Sequence, residues 1–376
     1  MDPLKQYPIL DRLLNPFWLR HRKTLAVVIA AIAAAGQARS FAIATCIARW
    51  GKSRLDSGIN RFYRLLRNPR IDYLDYASSW AALLAKPRRG QLLVSIDWTE
   101  WHHELRMLSS AVVVGKRAIP LFVQVTKKLA RLRSQNSYEN AFLRVLKDVL
   151  RHAGVTATIL CDRGFRRVSW IDLLQTLALG FVVRLKDDVS VTYRGKMTTL
   201  AELAATLPRG KVVDLGIVPL RSDAAIEVRV VFYWAKKADR PWWVATSEAG
   251  RASRAIQLYD RRMTVEEQFR DTKGKRFGVK LHWTQFRDPE ALARFTMLLA
   301  VALLIWMLTG THAASRDPSL RLVSRKKGPR QSYVTIGLRI VPVDPAALLI
   351  TVSTLRRWLE PPTERRLNQR GIGGAK

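Results

Sequence analysis

Three carboxylates stand out in a chain otherwise dominated by positive charge. Asp97 closes the apolar run Leu92-Leu93-Val94-Ser95-Ile96, and Asp162 follows the β-branched run from Thr156 to Cys161. Glu266 lies within Tyr259-Asp260-Arg261-Arg262-Met263-Thr264-Val265-Glu266-Glu267-Gln268-Phe269-Arg270-Asp271-Thr272-Lys273. Ligand sites collect at strand ends, and neighbouring strands can bring their terminal carboxylates together. Each aspartate taken singly also suits the cap of a turn. The third segment reads as the start of a helix. Tyr259, Arg262, Glu266 and Lys273 are spaced by three, four and seven residues, which puts them within an arc of ~60° at 100° per residue. One ridge then carries an aromatic ring, two cations and an acid, beside an apolar stripe of Leu258, Val265 and Phe269 that seats it on a sheet. The chemistry expected of that ridge is attack on a phosphodiester: the acid completes a metal site while Arg262 and Lys273 grip the flanking phosphates. Glu267 points ~100° away from Glu266 and is the weaker candidate.

A sheet must carry the two aspartates. From Gln91 the pattern predicts a central strand ending on Asp97, then strands Leu108–Val114 and Ile119–Val125 split by Gly115-Lys116-Arg117. A helix follows over Tyr138–Arg151 with Leu143, Leu146 and Leu150 on one side. Strand Thr156–Cys161, helix Val168–Leu179 and strand Phe181–Leu185 complete the order β-β-β-α-β-α-β, an α/β mixed sheet with helices. Asp187-Asp188 reads as a turn into the next stretch. There Val212–Val218, Ile226–Trp234 and Trp242–Thr246 alternate with polar and Gly/Pro turns, as in an all-β insertion. The chain turns helical again at Gln257. Asp288-Pro289 is an N-cap and N1 pair opening an apolar helix that ends near Gly310. Residues 1 to about 85 show only helical spacing. The expected division is 1–85 helical and DNA-binding, 86–186 first part of the core, 187–250 β insertion, 251–310 third acid and following helices, and 311–376 basic C-terminal region.

Composition narrows the function. With 376 residues, 48% of them hydrophobic, the chain is not a disordered one. Lys and Arg number 64 against 30 Asp and Glu, a net charge of +34 that calls for a polyanionic partner, either nucleic acid or an anionic membrane surface. The apolar runs Leu25–Gly36 and Met297–Leu308 are about a dozen residues each, short of the ~18 that span a bilayer, and read as buried helices. Cys46 and Cys161 make no disulfide framework and no zinc spacing, which suits a reducing compartment. His102 and His103 are adjacent and lack the i, i+4 placement of a helical metal pair. Residues 51–70 hold six basic residues against Asp56, and Asn60, Arg61, Arg64 and Arg67 share one helical side. That side suits DNA phosphates, or else is a solvated basic face. Arg163 suits a phosphate contact or a plain surface position. The region after Gly310, with 13 Lys and Arg against four acids and the run Arg325-Lys326-Lys327, either adds phosphate contacts or only solubilises.

The third segment resembles a known family: bacterial DDE transposases of the insertion-sequence class, in the family-four type group marked by Tyr-x2-Arg-x3-Glu-x6-Lys. Tyr259, Arg262, Glu266 and Lys273 fit that spacing without a gap, and Ser95-Ile96-Asp97 and Cys161-Asp162-Arg163-Gly164 are similar to the first and second motifs. The resemblance covers about residues 50–310. It implies an RNase H-like catalytic core interrupted by a β insertion. It implies that Asp97, Asp162 and Glu266 are catalytic and hold two Mg2+ ions, with Mn2+ able to substitute. The ions activate water for the first cut and then a 3′-hydroxyl for hairpin formation or strand transfer. It implies double-stranded DNA partners (terminal inverted repeats and target), a homodimer in the synaptic complex, no membrane, and a cytoplasmic, nucleoid-associated location. DNA contacts fall to Tyr259, Arg262 and Lys273. An aromatic of the insertion stacks on a flipped base, and Pro241-Trp242-Trp243-Val244-Ala245-Thr246-Ser247 supplies Trp242 or Trp243. Strand alternation makes one of the two core and leaves the other free. Competing readings are an RNase H-like host nuclease or resolvase, and a non-catalytic repressor; the intact motif argues against the latter.

Overall fold

Largely apolar segments separated by two turns make strands β1 (Gln91–Glu100), β2 (Leu105–Val114) and β3 (Arg117–Lys127). A computed structural model describes residues 8–342, apart from 16, 18, 102–103, 128–133, 275–277, 282–283 and 322–330. His102, His103 and the run Arg325-Lys326-Lys327 lie outside the described residues. Helix α6 (Gln135–His152), capped by Ser134, leads to β4 (Thr156–Cys161), and α7 (Val168–Thr176) leads to β5 (Gly180–Arg184). Strands β1, β2 and β3 pair antiparallel, whereas β1 with β4 and β4 with β5 pair parallel. This mixed α/β arrangement is consistent with an RNase H-like core.

One expectation needs correction at the first aspartate. β1 does not end at Asp97, because its ladder with β2 continues to the pair Glu100↔Arg106. Its ladder with β4 stops at Ile96↔Cys161. Asp97 therefore stands at a ladder end on the β4 side alone, one residue past the last pair, as Asp162 does on β4.

The stretch 187–250 is not all β. It holds β6 (Ser190–Tyr193), β7 (Lys196–Thr199), helix α8 (Leu200–Thr206), β8 (Val212–Arg221), β9 (Ala225–Tyr233) and β10 (Trp242–Thr246). Thr199 and Glu202 form a reciprocal capping box that starts α8, and the Leu-Ala-Glu-Leu-Ala-Ala run is made of strong helix formers. Nor do these strands form a sheet of their own. β10 pairs with β5, giving one ten-stranded sheet in the order β3-β2-β1-β4-β5-β10-β9-β8-β6-β7.

Among the described residues, those before β1 are helical: α1 (Pro8–Leu14), α2 (Leu19–Ala35), α3 (Ser40–Trp50), α4 (Leu55–Leu66) and α5 (Tyr73–Ala85). After the sheet come α9 (Ala252–Asp260), a 3-10 turn (Arg261–Met263), α10 (Thr264–Lys273), α11 (Pro289–Arg316) and α12 (Tyr333–Ile340). The expected single helical ridge is thus interrupted. The Thr264 hydroxyl donates to the Arg261 carbonyl at 2.8 Å, occupying an acceptor that an unbroken helix would offer to residue 265.

Asp288 caps α11 as expected, its carboxylate accepting from the Glu290 N–H at 3.1 Å. The helix does not stop at Gly310. That glycine is a crossing point: a Cβ there would lie 1.9 Å from the Tyr333 carbonyl oxygen, and one on Gly337 would lie 1.9 Å from that of Trp306. Two glycines let α11 and α12 touch backbone to backbone. α11 is long and apolar enough to cross a membrane, yet nearly all of its apolar stretch is buried in the fold. Its neighbours satisfy polar atoms across the contact: Trp306 Nε1 donates to Ala33 O at 3.0 Å, and Tyr76 OH donates to Met297 O at 3.2 Å. One sheet face and α2, α5, α6, α7 and α11 share the main core. The opposite face is covered by α9, whose Ala255, Ile256, Leu258 and Tyr259 pack on Leu160, Val182 and Val244, and by α10, whose Val265 packs on Ala111 and Ala118.

Candidate active site

Period-two alternation sends Asp97 to the α9–α10 face of the sheet and Trp98 to the α6 face. The Trp98 N–H donates to Asp97 Oδ1 at 2.8 Å. Asp162 is the N-cap of a 3-10 turn over Arg163–Phe165, and its Oδ1 accepts from the Gly164 N–H at 2.7 Å. Each carboxylate therefore spends one oxygen on local backbone and keeps Oδ2 for another partner. For both, that partner is Arg262. Its Nη2 donates to Asp97 Oδ2 at 2.8 Å and to Asp162 Oδ2 at 3.3 Å, while Nη1 donates to Glu266 Oε1 at 2.9 Å. Three acids from β1, the end of β4 and α10 converge on one guanidinium.

The electrostatics follow from burial. Burial pushes the Asp97 carboxyl up to about 6 despite the attraction of Arg262, and the Asp162 and Glu266 charges add to the rise. Burial disfavours the Arg262 cation, but Asp97 and Asp162 outweigh it and hold the group above its ordinary value. The donor set is carboxylate oxygen throughout, which suits hard divalent cations such as Mg2+ or Mn2+ and not zinc. Among the described residues, no three acids, imidazoles or thiols stand close enough to hold a metal ion as they are placed; a guanidinium holds the centre of the triad.

Two residues expected to contact DNA make their contacts within the protein. The Arg262 side chain is 9% exposed, and among the described residues its ion pairs are with the triad. Tyr259 is 4% exposed, and burial raises its phenol pKa. Its ring meets Trp242 edge-on, centroids 4.8 Å apart, so it supports that tryptophan. Trp242 is half-buried, whereas Trp243 is fully enclosed against Phe232 with centroids 4.6 Å apart. Trp243 is thus removed as a stacking candidate, by the alternation of β10.

Lys273 reaches β1 past the first aspartate. Its Nζ donates to Thr99 Oγ1 and to the Glu100 carbonyl, the latter at 2.8 Å, beyond Asp97 on β1. Burial lowers its pKa. Glu267 turns away and pairs with Arg117 and Arg270, both at 2.6 Å. Arg163 is exposed. On α4, Arg61, Arg64 and Arg67 are exposed while Phe62, Leu65 and Leu66 are buried on the other side. Arg61 and Arg64 line an open cleft of about 840 Å3 together with Asn60, Arg70, and His21 and Lys23 of α2.

Two neighbours of the site escaped the sequence reading. Glu139 is buried on α6 and accepts from Trp98, and Arg167 pairs with it at 2.9 Å. A signal existed for Glu139: it sits four residues before Leu143, an acid inside the apolar stripe of that helix.

Fold and site together define an α/β protein that gathers three carboxylates around one cation at the end of a mixed sheet. Residues 110–305 match the family described as Transposase DDE domain, which is more than half of the 376 residues. The chain belongs to that family. The matched span includes Asp162 and Glu266 and begins after Asp97. No curated protein matches the chain. Among solved structures, the chain is similar to the Argonaute of Marinitoga piezophila in complex with 5′ OH guide RNA and target DNA, at 11% identity and a TM-score of 0.20. The likeness covers 65% of this chain and 35% of that one, and it is too slight to bear on fold or function.

Proposed function

We propose that this chain is a transposase of the group with the Tyr-x2-Arg-x3-Glu-x6-Lys motif. It binds the terminal inverted repeats of its mobile element and cuts and rejoins double-stranded DNA in a cut-and-paste reaction passing through a hairpin. One observation carries the reading: Asp97, Asp162 and Glu266, remote in sequence, aim their free oxygens at a single positive charge. The carboxylate donors suit a divalent cation in their chemistry; as placed around Arg262 they stand too far apart to hold one, and would have to close in on it. Asp97, Asp162 and Glu266 would hold two Mg2+ ions, or Mn2+ in their place. When bound, such a pair lowers the pKa of the attacking oxygen and stabilises the departing one.

The remaining residues act on the substrate and on the acids. Arg262 balances three negative charges while no other cation is present, and so preserves their convergence. Lys273 sets a cation further along β1, at Thr99 and Glu100, to meet a phosphate flanking the scissile bond. Trp242 offers the one half-open indole of β10 for stacking on an extruded base, braced by Tyr259. Arg61, Arg64 and Arg67 hold end-DNA phosphates, and Arg163 adds a further contact. In this division the acids come from 86–186 and 251–310, the stacking strand from 187–250, and end binding from 1–85, with 311–376 adding positive charge. Paired cutting of two ends calls for two copies on DNA, in the cytoplasm at the nucleoid.

The test is to incubate purified protein with Mg2+ and a fragment bearing the ends of its own element, then locate the breaks. Breaks at the element boundaries, with a hairpin on the excised ends, are expected. Cleavage unrelated to those ends would instead assign the chain to host DNA processing.

A further inference from the structure

The parallel ladder between β1 and β4 ends at Ile96↔Cys161, so no backbone pairing fixes Asp97 relative to Asp162. Arg262 bridges the two carboxylates on their own face, and a second bridge lies on the opposite side of the sheet. Glu139 of α6 is 1% exposed, an anion enclosed by the fold. Its Oε1 accepts from Trp98 Nε1 at 2.8 Å and from Gln135 Nε2 at 2.8 Å. Its Oε2 accepts from Arg167 Nη2 at 2.9 Å. Trp98 is the residue after Asp97 and supplies the N–H that holds Asp97 Oδ1. Arg167 ends the segment that Asp162 begins, just past the 3-10 turn, and is the N-cap residue of α7. The two oxygens of one carboxylate are divided between the two segments that bear the aspartates.

A buried ion pair is costly to form and is not by itself a source of stability. An apolar residue at position 139 would continue the stripe of Phe142, Leu143 and Leu146. We propose that Glu139 is a positioning residue for the cutting reaction: through Trp98 and Arg167 it fixes the spacing of Asp97 and Asp162, and so sets how well they bind a divalent ion. The inference rests on the reading of those two aspartates as catalytic acids. Groups that hydrogen-bond to metal ligands and orient them typically change metal affinity or activity by ~10–100-fold when removed.

The experiment uses the full chain and four variants: Glu139→Ala, Glu139→Gln, Trp98→Phe and Asp97→Ala. Each is titrated with Mn2+ by calorimetry without DNA, assayed for Mg2+-dependent cleavage in single turnover, and measured for DNA affinity, at a temperature where circular dichroism shows it folded. Glu139→Ala should weaken Mn2+ binding and slow cleavage by ~10–100-fold while DNA affinity is unchanged. Glu139→Gln, which keeps one oxygen acceptor, should fall between it and the unaltered protein. Trp98→Phe removes the indole N–H together with part of the ring's bulk, leaves Glu139 paired with Arg167, and should lose several-fold in both readouts. A purely structural role would lower the melting temperature and leave Mn2+ affinity unmoved, and that result overturns the proposal. If Glu139→Ala does not fold, Trp98→Phe and Glu139→Gln decide, and unchanged Mn2+ affinity in both overturns it. Full cleavage by Asp97→Ala would sink the active-site reading instead. An inactive Asp97→Ala beside normal Trp98→Phe and Glu139→Gln sinks only the positioning role.

Discussion

The arginines of the acid triad and of α4 are the same residue type in opposite circumstances. Arg262 is buried and shared among three carboxylates, so its charge is spent inside the molecule. Arg61 and Arg64 are exposed on the rim of a basic cleft and form no ion pair among the described residues. A net charge of +34 says nothing about which cations remain available. Burial and acid partners decide that: cations tied to Asp or Glu set internal geometry, and unpaired ones attract an external polyanion.

The sharpest way to break this contrast is at the acids. Asp97→Ala, Asp162→Ala and Glu266→Ala should each reduce Mg2+-dependent cleavage on the order of 10³-fold, the several kcal/mol a metal site contributes to charge stabilisation. DNA affinity should persist in a filter-binding assay; cleavage retained in all three would end the assignment. Next is Arg262→Ala. Removing one partner of a buried ion pair costs about 3–5 kcal/mol, so the melting temperature in EDTA should fall and then rise again on adding Mn2+. An unchanged melting temperature would mean the guanidinium is not the counter-charge of the triad.

A third test uses Asp271, a second buried acid, whose carboxyl is pushed up to about 6 by burial despite the nearby Arg117. The folded chain binds that proton more tightly than the unfolded one, so ionised Asp271 costs stability above pH 6. Stability is therefore gained as pH falls from about 6 toward about 4, by up to ~3 kcal/mol. Asp97, raised to about 6 as well, contributes in the same window, so Asp271→Asn should reduce the slope of the melting-temperature profile there without abolishing it, and an unaltered slope would show that Asp271 does not titrate there. The smallest effect belongs to the exposed region. Arg61→Ala and Arg64→Ala together should weaken binding to any DNA sequence about tenfold and lower the slope of log affinity against log salt by about 1 per residue. An unchanged slope would show that the α4 face is merely solvated.

Much of this was legible in the residues. The order from β1 to β5 follows from apolar runs bounded by turn signals; Asp162 follows its strand as read, whereas Asp97 stands inside β1. What escaped reading depends on pairing between distant segments. No local pattern shows that β1 loses β4 at Ile96 while keeping β2 to Glu100. The break at Arg261–Met263 carries no Gly or Pro to announce it. Arg262 finds its aspartates 165 and 100 residues away, and local spacing recommended it for phosphates only because those partners are invisible along the chain. α8 is signalled by Thr199 and Glu202, a capping box set between strand-like segments.

The unbroken sheet has a mechanical consequence. Trp242 rides on β10, Asp162 follows β4, and only β5 separates them. Inter-strand spacing is ~4.8 Å and stiff, so the gap between indole and acid works as a caliper with its jaws already locked. Lengthening the excursion between β5 and β10 alters the handle and leaves that opening untouched. Any nucleic acid that reaches both points must deform to match the protein.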